Sequence, residues 1–254
     1  MYKLFRNTGL IFLVLITFTY SKRLVNVVKE YDDIMIELKE NKLDKKPIQA
    51  IIKDKTIIPG ISGRKVNIDR SYTKMREYGK YNEDLIIYDK IYPKDKLSDN
   101  MDKFIIKTQK KEISVIVKLN SNSNIDELLN NKYNINIYID NYYIKNNKDK
   151  IKKLVNNNYI FLNNDSAYLK KVLNQEHGYC YTEEYDFNIL NNCYKNNNYT
   201  IVPNIIVKDS LLKLEKEISN GSIISTNINN YKNVLIYLNK KGYEVVSLNK
   251  LLSE

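Results

Sequence analysis

From Lys111 to Glu254 short β-branched runs alternate with amphipathic helical stretches, and this alternation constrains the fold more than any other feature of the chain. Ile113, Val115, Ile116, Val117 and Leu119 mark a buried strand. Asn120 to Asn124 break it, and Asn124 followed by Glu127 reads as a capping box opening a helix. Further strands are expected at "INIYI" (135–139), "YIFL" (159–162), "YTIVPNIIV" broken by Pro203, "GSIIS" and "YEVVSL". Helices are expected at "NNKDKIKKLVNNN", at 167–175, at 210–219 and along the stripe Tyr231, Val234, Leu235 and Leu238, which Gly242 ends. Strands separated by helices specify a parallel α/β sheet or barrel. Such folds carry chemistry at the C-terminal ends of the strands. The first of those ends reads Lys118, Leu119, Asn120, with no carboxylate, His, Cys or Gly-rich turn.

The N-terminal 110 residues are organised differently. Residues 8–20, "TGLIFLVLITFTY", are uncharged and mostly apolar, with Lys3 and Arg6 before them and Lys22 and Arg23 after. No small-residue cleavage site follows. The expectation is an uncleaved signal anchor over 1–21, placing the protein in the cell membrane as a single-pass chain with an extracellular C-terminal domain. A charged helical stalk is expected over 22–47, ended by Pro47, then an N-terminal extension over 48–110 with a short helix from about Ser71 and a strand in "EDLIIYDKIYP".

The net charge is +11. A basic chain attracts polyanions without choosing among nucleic acid, anionic lipid and anionic wall polymer. Much of the Lys, Asn, Ile and Tyr content follows from A/T-rich codons, and the basic residues are spread along the chain, so no nucleic-acid partner is expected. Cys180 and Cys193 either pair, stabilising the fold by about 3 kcal/mol for a loop this short, or remain two buried thiols. Two Cys and one His are too few for a closed zinc site.

The order of elements and several phrases resemble the polysaccharide deacetylase family, the NodB homology domain. "NINIYIDNYYIKNNKDKIKKLVNNNYIFLNND" is similar to the family's second strand, helix and third strand. "NGSIISTNINN" looks like its late strand, and "YLNKKGYEVVSLNKLLSE" resembles its usual ending. "TIIPGISGRKVNIDRSY" and "HGYCYTEE…NNCYKNNNYTIVPNI" resemble a membrane-anchored Gram-positive branch. The resemblance implies an irregular (β/α) barrel over 111–254, preceded by the anchor, stalk and small extension. It also implies a zinc ion held by one Asp and two His, a neighbouring Asp as general base and a late-strand His as general acid.

Those residues are missing. Lys118 and Leu119 stand where the resemblance expects paired Asp. Asn164 and Tyr168 stand where it expects the two metal-binding His, and Asn227 where it expects the catalytic His. A one-residue slip brings Asp165 towards the ligand region, but a chain whose only His is His177 cannot supply two. No catalytic or metal-binding residue and no cofactor is therefore assigned, and the function expected is a membrane-anchored, inactive deacetylase-like protein that binds cell-wall glycan or a protein partner. The alternatives are an active N-acetyl sugar deacetylase with a substituted site and a basic polyanion-binding protein.

Other candidates have simpler readings beside their chemical ones. His177 with Cys180 is a Cys–His pair or a loop His beside a disulfide. Glu183, Glu184 and Asp186 are a hydrolytic carboxylate pair or a solvated loop. Tyr138, Tyr142 and Tyr143 stack on sugar or pack a half-buried strand. "GISGRK" (60–65) is too short for a phosphate loop.

Overall fold

The computed structural model describes residues 2–30, 32–120, 123–129, 131, 133–155, 159–165, 171 and 178–254. The chain forms two compact units, one from residues 1–46 and 63–91, the other from 47–62 and 92–254. In chain order the strands are β1 Ile51–Lys53, β2 Thr56–Ile58, β3 Gly63–Val66, β4 Tyr88–Ile91, β5 Phe104–Ile105 and β6 Ser114–Lys118. They continue with β7 Asn136–Tyr138, β8 Ile160–Asn163, β9 Tyr179–Tyr181, β10 Tyr199–Ile201, β11 Ile205–Val207 and β12 Ile223–Asn227.

The first unit pairs β3 with β4 as an antiparallel hairpin and adds the helices Tyr2–Glu30, Asp33–Glu40 and Ile68–Tyr78. Its core is Met35, Leu38, Val66, Tyr72 and Met75. Asp32 separates the first two helices. One of its carboxylate oxygens accepts from Ile34 N–H at 3.0 Å, and the other accepts from the Tyr72 hydroxyl at 3.2 Å. The charged segment after residue 20 is thus two helices rather than one, because Asp32 is a strong helix starter.

The expected membrane anchor is not borne out. No helix among the described residues is long and apolar enough to cross a membrane. The helix Tyr2–Glu30 has the length, but its uncharged run of residues 8–20 rises only about 20 Å. A bilayer core is about 30 Å thick, and charges bound the run at both ends. The signal anchor, the membrane contact through residues 8–20 and the single-pass placement with an extracellular C-terminal domain are corrected accordingly.

The second unit holds a ten-stranded sheet in the order β1-β2-β5-β10-β9-β8-β7-β6-β12-β11, parallel throughout except for the β1–β2 hairpin. The sheet must curl. β10 and β11 are six positions apart in it, about 29 Å if flat. Only residues 202–204 join them, and Ile201 to Ile205 spans at most about 14 Å. The result is a curled (β/α) half-barrel with an open seam, since β10 bonds β5 instead of β11. Pro203 breaks the expected strand at that seam.

Alternation along the strands divides two cores. Val115, Val117, Ile137, Phe161 and Ile224 face outward under the helix residues Ile151, Leu154, Leu214, Val234, Leu235 and Leu238. Ile116, Leu162, Tyr181, Ile201 and Ile223 face inward against Leu248, Leu251 and Leu252. These leucines lie on the helix Leu248–Leu252, which plugs the barrel floor. "YEVVSL", expected as a strand, makes a single bridge between Val245 and Ile113. It stops there because Asn136, fully buried in β7, takes the Leu248 N–H at 2.9 Å while Ser247 caps the helix. The Asn136 amide also donates to Ser114 Oγ at 2.8 Å and Val115 O at 2.9 Å, and Ser114 Oγ donates to Val246 O at 3.0 Å. The helix expected at 167–175 lies outside the described residues, Lys171 excepted.

Candidate functional site

The same alternation carries Lys118 of β6, Tyr138 of β7, Asn164 just after β8, Tyr181 of β9 and Ser225 of β12 to the inner face near the mouth of the barrel. Glu183, two residues beyond Tyr181, joins them. Its Oε1 accepts from the Lys118 ammonium and, at 3.3 Å, from the Tyr181 hydroxyl. The Tyr181 hydroxyl is also hydrogen-bonded to Ser225 Oγ at 2.7 Å, and the Tyr138 hydroxyl donates to Asn164 Oδ1 at 2.7 Å. The two Tyr rings pack with centroids 4.5 Å apart. Lys118 Nζ stands 6.0 Å from one centroid and 5.9 Å from the other, the outer reach of a cation–π contact. The mouth therefore holds a neutralised Lys–Glu pair beside two packed aromatic rings.

Both side chains of the pair stay partly open, Lys118 at 36% and Glu183 at 29%. Water screens them, so the pair contributes at most about 1 kcal/mol to stability. Burial opposes ionisation of Glu183, but the Lys118 ammonium, the Tyr181 hydroxyl and the nearby Lys208 together hold its carboxyl below the usual range. Burial, with Asp140 and Glu183 adding to it and the Asn164 bond opposing, pushes the Tyr138 hydroxyl up to about 12. Burial pushes the Tyr181 hydroxyl up further still.

The residues singled out in the sequence divide clearly. Lys118 and Asn164 come together at the mouth, and Glu183 joins them. Leu119 turns away into the outer core, 3% exposed. Asn227 ends β12, but its amide donates to Lys208 O at 2.8 Å and its Oδ1 accepts from Asn230 N–H at 2.9 Å, so it ties a loop to the next helix. Asp186 caps the helix Phe187–Lys195 through Asn188 and Ile189 N–H. Tyr143 is fully buried and Tyr142 exposed. Gly60 is packed too tightly for a side chain, since a Cβ there would lie 2.5 Å from Ile48 O. Cys180 and Cys193 form a disulfide joining β9 to that same helix. Tyr168 and His177 lie outside the described residues. The Asn124 side chain accepts from Asp126 N–H at 3.0 Å, half of the expected capping box.

Tyr181, Ser225 and Lys208 escaped sequence reasoning. A Tyr in a chain with 22 of them carries little signal, and only counting alternate positions along β9 and β12 would have found the first two.

These residues do not fit a zinc ion. Among the described residues no three His, Cys, Asp or Glu side chains come together to hold a metal. The Glu183 carboxylate is engaged by the Lys118 ammonium, which repels a dication.

No family model matches the sequence, and no curated protein matches it. Solved structures do resemble the fold. A CE4-family pseudoenzyme from Bacillus anthracis is 16% identical, covers 88% of this chain and 96% of its own, and superposes with a TM-score of 0.65. A mutant of that pseudoenzyme with restored enzymatic activity gives 0.66 at 16% identity, covering 88% and 99%. Likeness at this identity speaks to the fold, a distant deacetylase-like barrel.

Proposed function

We propose that this chain is a catalytically inactive deacetylase-like barrel whose mouth binds an N-acetylated glycan without hydrolysing it. One observation carries the reading: the Lys118 ammonium, paired with Glu183, stands at the strand end where the resemblance expects the paired Asp. An ammonium there cannot activate water as a metal-bound hydroxide does. Lys118 and Leu119 stand in for the expected ligand and base Asp, Asn164 and Tyr168 for the two metal-binding His, and Asn227 for the expected acid. The solved pseudoenzyme of the same fold supports reading such a barrel as able to stand without its chemistry.

The mouth retains groups suited to sugar. The Lys118 ammonium has three donors, one of which goes to Glu183. Sugar hydroxyls and acetamido groups both give and accept hydrogen bonds, and a Lys–Glu pair offers both. The half-buried Tyr138 ring adds a face for the apolar side of a pyranose. A pair without net charge favours a neutral sugar.

Calorimetric titration of the full chain with chitohexaose tests this. The expected result is binding that weakens about ten-fold in both Lys118→Ala and Tyr138→Ala, with no acetate released. Acetate release, or equal affinity in the parent and both variants, would overturn the proposal.

A further inference from the structure

Outside the mouth, the second unit has a cavity of about 540 Å³ whose lining sets Phe104, Tyr185 and Phe187 opposite a polar hairpin that carries Lys53, Asp54 and Lys55. Ligand pockets commonly fall in the range of about 300–1,000 Å³. Tyr185 and Phe187 are 54% and 52% exposed, although both pack against the fully buried Phe104, with ring centroids 5.3 and 5.6 Å away. Two large rings half in water are a cost that folding alone does not require.

These rings are also held still. The disulfide between Cys180 and Cys193 brackets their loop. Thr182 Oγ1 donates to Glu184 O at 2.8 Å, Asp186 N–H donates to the same oxygen at 2.8 Å, and Asp186 then caps the following helix. A pre-ordered aromatic platform loses little entropy when it binds.

The opposite wall is the β1–β2 hairpin. Asp102 engages Lys103 at 3.0 Å and Lys55 at 3.7 Å. Among the lining residues Lys53 and Lys55 stand against Asp54, and the neighbouring Lys103 offsets Asp102, which leaves one ammonium in excess, so the cavity favours an anion. Aromatic walls facing an excess ammonium match a pyranose ring that carries a carboxylate.

We infer that this cavity is a second glycan subsite, selective for a carboxylated sugar and separate from the neutral-sugar mouth. The inference rests on the reading of the chain as a glycan-binding barrel. It gives the shared loop two roles: Glu183 turns inward to the mouth, and Tyr185, two residues on, lines the cavity.

The test is titration of the full chain with hexagalacturonate at low and high salt. Expected is salt-sensitive binding that weakens about ten-fold in the double variant Tyr185→Ala/Phe187→Ala and several-fold in Lys53→Gln. Lys240→Gln, which removes the same charge from an exposed helix, should leave it unchanged. Chitohexaose titrated into the same samples reads the mouth separately and should bind Tyr185→Ala/Phe187→Ala as it binds the parent, so failure of the mouth reading is distinct from failure here. Melting curves confirm that each variant folds. No hexagalacturonate binding, or equal losses for Lys240→Gln and Lys53→Gln, would overturn the inference.

Discussion

The floor and the mouth of the barrel both carry polar side chains on inward positions of the same strands, and they use them in opposite ways. At the floor Asn136 is fully buried, and both its amide hydrogens and its carbonyl oxygen are committed to neighbouring backbone and to Ser114. Its carbonyl oxygen pins the C-terminal plug through Leu248 N–H, and its amide ties β7 to β6. At the mouth Lys118 and Glu183 remain about one-third open and answer mainly to each other. A buried polar group must be satisfied or it costs its full desolvation. A half-exposed pair contributes little to stability and keeps bonding capacity for a ligand. The floor is built for the fold, and the mouth is available for recognition.

That contrast can be broken by mutation. Gly221→Ala should have the largest effect. Gly221 has φ +74° where the chain turns into β12, and a Cβ would lie 2.0 Å from Thr108 O. Loss of soluble folded protein is expected, checked by circular dichroism. Asn136→Ala should follow, destabilising by about 3 kcal/mol in urea unfolding, because the buried Leu248 N–H loses its acceptor and Ser114 Oγ and Val115 O each lose a donor. Cys180→Ser with Cys193→Ser should cost about 3 kcal/mol by loop entropy, and should also loosen the loop bearing Glu183.

The mouth should behave differently. Glu183→Gln should cost less than about 1 kcal/mol near neutral pH. Because the folded-state pKa of Glu183 is lowered, its contribution is complete above about pH 4.3, the ordinary glutamate value. It is lost as pH falls through the lowered value. Acid unfolding should therefore be shallower in Glu183→Gln over that window, read by fluorescence against pH. Tyr138→Phe should matter least. Its raised pKa favours the neutral phenol in the fold, a contribution present below about pH 10 and lost as pH rises through about 12. The variant should lose part of the alkaline destabilisation and little else. A Glu183 or Tyr138 variant as damaging as Asn136→Ala would collapse the contrast.

Much of this was legible in the sequence, for physical reasons. Strands covered on both faces read as continuous apolar runs, so β6, β8 and β12 announced themselves. The stripe Tyr231, Val234, Leu235 and Leu238 did the same for its helix. Pro203 marked a break, but nothing local revealed that β10 and β11 lie six positions apart in the sheet. That follows only from the sheet order. "YEVVSL" has strand composition and becomes the lead into a plug, because Asn136, more than a hundred residues away, takes the hydrogen bond that a neighbouring strand would have used. At the mouth, Lys118 and Asn164 were found by position, whereas Glu183 was one of three nearby carboxylates and only the fold selects it. The apolar run at 8–20 was read as an anchor by composition, and its length did not support that reading.

The most direct test is the zinc content of the full chain after incubation with excess zinc and desalting, with acetate release from chitohexaose assayed on the same sample. The account expects no retained zinc and no acetate, in the parent and in Glu183→Gln alike. Stoichiometric zinc accompanied by acetate release would contradict it and would require the Lys118–Glu183 pair to open around a metal.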